Sequence, residues 1–120
     1  MGLDIFINRN KISEIGYFRK VNFLVKFFED KGFDVENQTP YKIKREDIID
    51  LINRCETVLK NHELADKLLS TMNGFFFGST DYDEDYYDDV KQVFEYCKNH
   101  LLPTFNELEE DEYLTFETWY

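Results

Sequence analysis

The hydrophobic pattern of this chain changes its period along the sequence, and this change constrains the fold more than any other feature. Leu3, Ile5 and Ile7 alternate with residues of the opposite face at the N-terminus, which is the period-two pattern of a half-buried strand. From about residue 13 to residue 31 the apolar residues recur at spacings of three and four, with Gly32 at the expected end. This second pattern predicts a first long helix, over 13–31.

The remainder of the chain repeats both patterns. Residues 37–40 predict a turn and residues 41–43 a short strand. Helical spacing predicts three further helices, over about 45–60, 62–70 and 83–101, the last of them ended by Pro103. We therefore expect an α+β fold in which three or four helices pack on a small antiparallel sheet. With 120 residues the chain is predicted to be one domain. Residues 103–120 are predicted to form an acidic and aromatic tail, which becomes β-like over residues 113–120.

The charge of the chain is strongly negative and unevenly distributed. Asp and Glu number 25 against 14 Lys and Arg, which gives −11. Residues 1–60 contain 11 basic and 10 acidic side chains (net +1), whereas residues 61–120 contain 3 and 15 (net −12). A protein that coats nucleic acid needs clustered Lys and Arg, so we expect no direct nucleic-acid binding. A hydrophobic content of 42% nevertheless predicts that the chain folds.

Targeting and membrane signals are also missing from the sequence. The N-terminus has no basic region before an apolar segment, and the longest apolar runs are three residues long. We therefore expect a cytoplasmic protein with no membrane partner. Cys55 and Cys97 occupy apolar positions of predicted helices, which favours reduced core thiols.

The most distinctive segment is a run of three phenylalanines between two glycines, followed by Ser79, Thr80 and a cluster of acids. The run predicts a short buried strand or extended piece over 75–77, with Phe76 or Phe77 buried. Thr80 and Asp83 are spaced to cap the helix that follows. The alternating aspartates do not complete a calcium-binding loop, because Tyr86 and Gln92 stand where that loop needs Gly and Glu. We expect no metal, no cofactor and no catalytic residue.

Two functional interpretations remain open. In the first, the acidic helix binds a partner protein that has a basic surface, since carboxylates there would attract it and the tyrosines would anchor it. The residues predicted for this surface are Asp81, Asp83, Asp85, Asp88, Asp89, Tyr82 and Tyr86. The alternative is that these acids form a solvent-exposed face of the helix that binds no partner.

In the second interpretation the chain binds or sequesters a small ligand such as a nucleotide or another anion, and it could be an enzyme. A cation beside a Ser/Thr loop suits such a ligand. The pocket would lie between the first helix and the loop 78–80, and its predicted residues are Asp4, Tyr17, Arg19, Lys20, Ser79, Thr80 and Tyr82. Convergence of these segments around a concave site would favour this interpretation.

Three segments resemble a family of small phage and prophage proteins. They are the opening Met1-Gly2-Leu3-Asp4, the stretch Tyr17-Phe18-Arg19-Lys20-x-Asn22, and the block from Gly74 to Glu84. The likeness spans roughly residues 1–101. It implies a viral accessory protein that acts inside a bacterium, and it supplies no catalytic residue. The first interpretation then predicts that the acidic surface binds a host protein that handles nucleic acid, a role of the counter-defence type.

Overall fold

A computed structural model describes residues 2–10, 13–74 and 77–120. Four strands form one antiparallel sheet in the order β2-β1-β4-β3, where the strands are β1 (Asp4–Arg9), β2 (Ser13–Arg19), β3 (Tyr41–Lys42) and β4 (Leu114–Trp119). The helices are α1 (Asn22–Asp30), α2 (Arg45–Lys60), α3 (Ala65–Leu68), α4 (Glu84–Tyr96) and α5 (Leu102–Glu107). A 3-10 turn (His62–Leu64) precedes α3, and a π-helical turn (Cys97–Leu101) joins α4 to α5. The predicted α+β class is confirmed.

The helices cover one face of the sheet. Ile5 and Ile7 of β1 point to this inner face and are at most 2% exposed. The ring of Phe28 from α1 stacks on Phe116 of β4, with centroids 4.1 Å apart. Because successive strand residues alternate between faces, Asp4, Phe6 and Asn8 point to the opposite, outer face.

The first predicted helix is wrong over its N-terminal half. Residues 13–19 form β2, which pairs with β1 through the register Asp4↔Arg19 to Arg9↔Ser13. The helix starts at Asn22, after Lys20, whose φ of 58° lies in the left-handed region. Pairing with β1 therefore overrides a local spacing that also suits a helix. The predicted end is confirmed, because α1 stops at Asp30 and Gly32 follows with φ 99°.

The C-terminal predictions also need correction. Pro103 does not end the last helix, because it lies in the first turn of α5, where its missing N–H is tolerated. Residues 103–120 are not a tail, since they supply α5 and then β4, which lies between β1 and β3. The β-like character predicted for residues 113–120 is confirmed. Of the strand predicted over 75–77, Phe75 and Phe76 lie outside the described residues, and Phe77 is buried but belongs to no strand.

Among the described residues, no helix combines the length and the apolar composition that crossing a membrane requires.

Candidate functional site

A cleft of about 200 Å³ opens between the start of α1 and the start of α4. One wall consists of residues 20–23, and Thr71, Gly78 and Ser79 form the connection beside it. The opposite wall contributes Tyr86 and four carboxylates, those of Asp81, Asp83, Asp85 and Asp89. The two segments that the ligand interpretation requires to converge, the N-terminus of α1 and the loop at 78–79, therefore do converge.

Asn22 holds this arrangement together. Its side chain is buried, and the amide nitrogen donates hydrogen bonds to the carbonyl oxygens of Phe77 (3.0 Å) and Ser79 (2.9 Å). Its amide oxygen accepts a hydrogen bond from the backbone N–H of Met72 (3.0 Å). One side chain thus satisfies backbone groups of residues 72, 77 and 79, none of which lies in a helix or strand. Asn22 belongs to neither of the two predicted sets of site residues, although an amide within the apolar run 21–25 is a usable signal of such a clamp.

Lys20 approaches the cleft from the strand side. Its backbone N–H donates to the carbonyl of Leu3 (2.6 Å), which fixes the left-handed turn between β2 and α1. Gly78 also has a positive φ, 87°, and a Cβ added there would lie 3.3 Å from Cβ of Lys20. Glycine at 78 is therefore required both by the backbone conformation and by the close approach of Lys20. Within the described part of the chain, Lys20 makes no ion pair.

The carboxylates of the acidic wall are not equivalent. Asp83 is the N-cap of α4, because its side chain accepts the backbone N–H of Tyr86 (3.1 Å), so Asp83 and not Thr80 fills the predicted capping role. Asp89 is half-buried, and desolvation, reinforced by Asp85, Asp88 and Asp83, raises its pKa from 3.8 to about 6. Asp89 forms no ion pair with any of the residues that the structure describes, so a positively charged group would be attracted to its carboxylate at neutral pH.

Two of the predicted tyrosines have structural contacts. Tyr86 is 5% exposed, donates its hydroxyl to the carbonyl of Leu69 (2.7 Å) and packs edge-on against Phe23. It supports the cleft from beneath and does not offer the exposed anchor that the sequence analysis assigns to it. Tyr82 is 37% exposed and donates to Asp66 (3.0 Å), which fastens the segment before α4 to α3.

The seven residues of the predicted ligand pocket fall into three groups. Lys20 and Ser79 line the cleft. Thr80 is exposed, and its carbonyl accepts the hydroxyl of Thr71 (2.9 Å). Neither Thr80 nor Tyr82 lines the cleft, and Asp88 is exposed on α4 outside it.

The other three residues of that prediction lie on the outer face of the sheet. Tyr17 donates its hydroxyl to Oδ1 of Asp4 (2.6 Å), and Arg19 donates to the same oxygen (3.4 Å). The hydrogen bond to Asp4 raises the pKa of Tyr17. Asp4, Tyr17 and Arg19 thus form a separate cluster and add nothing to the cleft.

In the described ranges, no three or more His, Cys, Asp or Glu side chains lie close enough together to hold a metal ion. Cys55 and Cys97 are buried free thiols, and burial raises the pKa of both. Comparisons with protein-family models, curated proteins and solved structures give no significant match. Function must therefore be argued from the geometry of the cleft and the distribution of charge.

Proposed function

We propose that this chain is a binding protein that docks a basic surface of a partner protein on the acidic wall of the cleft. The observation that supports this most strongly is that four aspartates line one cleft, where Asp89 is incompletely compensated. The volume of the cleft, about 200 Å³, suits the end of one Lys or Arg side chain of the partner better than a folded element. Such a side chain would pair with Asp85 and Asp89.

The second acidic cluster is less suited to this role. Glu112 accepts two hydrogen bonds from Arg9, at 2.8 and 2.6 Å, so its charge is already paired. The remaining acids there, Glu107, Glu109, Glu110 and Asp111, are exposed and line no cavity described for this chain. Docking is accordingly assigned to residues 81–89.

The class of partner follows from the chemistry of the surface. Closely spaced carboxylates on a rigid helix can occupy a surface that normally binds phosphates, and electrostatic attraction accelerates the encounter. We propose a host protein that handles nucleic acid as the partner, and a phage accessory role of the counter-defence type. This part of the proposal is supported by the net charge of −12 in residues 61–120 and by the resemblance described above.

A small ligand in the same cleft is the second candidate, because the start of α1 and the loop at 78–79 converge there. Four carboxylates against one lysine disfavour a nucleotide or another anion and favour a small cation such as an organic amine. Arg19 lies outside the cleft, so Lys20 is the residue whose removal would distinguish an anionic ligand from a cationic one. If an anion binds, Lys20→Ala abolishes a ligand-induced rise in melting temperature; if a cation binds, the same change preserves or increases it.

The docking proposal is tested with a short peptide rich in Lys and Arg and a triple variant, Asp81→Asn, Asp85→Asn and Asp89→Asn. Asp83 is left unchanged because it caps α4. The matched control removes three charges from the second cluster: Glu107→Gln, Glu109→Gln and Glu110→Gln. We expect the cleft variant to weaken peptide binding at least tenfold in low salt, while the control changes it less than threefold. Equal losses would show only non-specific attraction to a negative protein and would contradict the proposal.

A further inference from the structure

The outer face of the sheet has an exposed aromatic row that the proposed function does not use. Phe6 contacts both Tyr17 and Trp119, with ring centroids 5.3 and 6.3 Å apart. Tyr17 and Trp119 are each 46% exposed. We call this surface, comprising Asp4, Phe6, Tyr17, Arg19, Glu117 and Trp119, the outer aromatic face. An aromatic cluster across three neighbouring strands is unusual on a surface that remains in water.

The strand register arranges this face in two rows. Asp4 of β1 is flanked by Arg19 of β2 and Trp119 of β4. One step along the strands, Phe6 is flanked by Tyr17 and Glu117. In each row the group on β2 is chemically complementary to the group on β4, although β1 separates the two within one chain. The guanidinium of Arg19 complements the indole ring of Trp119, and the hydroxyl of Tyr17 complements the carboxylate of Glu117.

We propose that the outer aromatic face joins two copies of this chain around a two-fold axis parallel to β1. Such an axis superposes β2 of one copy on β4 of the other. Arg19 then lies over Trp119 of the second copy in a cation–π contact, and Tyr17 faces Glu117, which offers a second acceptor for the hydroxyl that Tyr17 donates to Asp4. The two Phe6 rings meet at the axis, and so do the two Asp4 carboxylates, each of which keeps the Arg19 of its own copy beside it. The contacts Arg19–Trp119 and Tyr17–Glu117 each occur twice, as the symmetry of an isologous interface requires, whereas the contacts on the axis occur once.

The distribution of charge also favours a second copy on this face. The outer aromatic face has one cation, Arg19, and two carboxylates, so its net charge is −1, against −11 for the chain. Copies that approached through their acidic helices would repel each other strongly, whereas this repulsion is small on the sheet side. Arg19 is free to turn toward a partner, because its side chain is 53% exposed and its contact with Asp4 is long, at 3.4 Å.

The size of the face sets the expected affinity. Three strands about 4.8 Å apart and roughly 20 Å long present a plane of about 300 Å² per copy. Two such planes are smaller than the ~1,200 Å² typical of stable complexes. The dimer is therefore weak, with a dissociation constant on the order of 10–100 µM.

Trp119 is the only tryptophan of the sequence and reports directly on this contact. The experiment combines sedimentation velocity with tryptophan emission for the full chain between about 5 and 500 µM. We expect the weight-average mass to rise toward twice that of the monomer, with a blue shift of the emission over the same range. A chain that stays monomeric to 500 µM overturns the proposal, and so does a dimer that forms without any shift.

Charge reversal locates the contact. Arg19→Glu removes the guanidinium from the outer aromatic face, and Arg45→Glu makes the same charge change at the exposed start of α2. We expect the first variant to raise the dissociation constant at least tenfold and the second less than threefold, with unchanged circular dichroism for both. Equal effects overturn the assignment to this face. The proposal is independent of the acidic cleft, whose triple variant should dimerise as well as the parent.

Discussion

At the scale of single residues, Asn22 determines the geometry of the cleft more directly than any charged group. It is 3% exposed and bonds three backbone groups that belong to the segment between α3 and α4. A buried backbone group without a partner costs about 1–3 kcal/mol, and Asn22 prevents three such losses. This amide is therefore one of the contacts that fix the position of the loop at 78–79.

We predict that Asn22→Leu lowers the free energy of unfolding by about 3 kcal/mol, because it leaves polar groups of residues 72, 77 and 79 unpaired. Urea denaturation gives this value. Asn53→Leu, at an exposed position of α2, is the control and should change stability by less than about 0.5 kcal/mol. Equal small effects of both changes would show that Asn22 is not a clamp.

Asp89 gives a pH-dependent prediction. Its pKa rises from 3.8 to about 6 on folding. Between about pH 4 and pH 6 the folded chain therefore holds a proton that the unfolded chain has released. Because of this difference, Asp89 destabilises the fold increasingly as the pH rises through that range. Asp89→Asn removes this penalty. Because the side chain is only half-buried, we expect a gain of about 1 kcal/mol at pH 7 and none at pH 3.5. Thermal unfolding of both proteins at pH 7 and pH 3.5 measures this gain in stability. A gain of the same size at both pH values would contradict the interpretation of Asp89 as a desolvated carboxylate.

At the scale of elements, Phe77, which lies between α3 and α4, is held by a hydrophobic contact as well as by Asn22. Phe77 is 6% exposed and packs edge-on against Tyr120, with ring centroids 5.0 Å apart. We predict that Phe77→Ala destabilises the fold by about 3–5 kcal/mol. A melting temperature equal to that of the parent would show that this segment is not part of the core.

The C-terminal strand gives the second prediction at this scale. Leu114, Phe116 and Thr118 of β4 are fully buried, and the strand separates β1 from β3. Deletion of residues 113–120 should therefore abolish cooperative unfolding, whereas deletion of Tyr120 alone should preserve it. A truncated chain that still melts cooperatively would mean that the region behaves as the dispensable tail suggested by its acidity. Scanning calorimetry distinguishes the two results.

The elements also indicate how far the sequence could be interpreted. The spacing of apolar residues predicts β1, the end of α1, α2 and most of α4, because these depend on local pattern. The strand β2 is missed because Ile15, Phe18 and Val21 fit a helix equally well, and only pairing with β1 decides between the two. The sequence predicts part of the cleft, because the chemistry of Lys20, Ser79 and the aspartates indicates a binding site. It wrongly adds Tyr17 and Arg19, which lie on the outer face because residues 13–19 form β2 and not a helix.

At the scale of the whole molecule, the acidic cleft and the exposed aromatic side chains of the sheet lie on different surfaces. Asp81, Asp83, Asp85 and Asp89 line the cleft, and the nearly neutral outer aromatic face lies on the other side of the sheet. Under the two proposals, a basic partner would be attracted to the cleft, and a second copy of the chain would meet less repulsion at the outer aromatic face. A weak dimer of this kind would present two acidic clefts, which increases the effective affinity for a partner with two basic sites.

The most direct test of the account is a titration of ¹⁵N-labelled protein with the peptide rich in Lys and Arg, followed by amide chemical shifts in low salt. The account predicts that the largest shifts fall on residues 20–22, 78–79 and 81–89, and that about 0.5 M salt removes most of them. Largest shifts at residues 107–112, or small shifts spread over all acidic positions, would contradict the assignment of binding to the cleft.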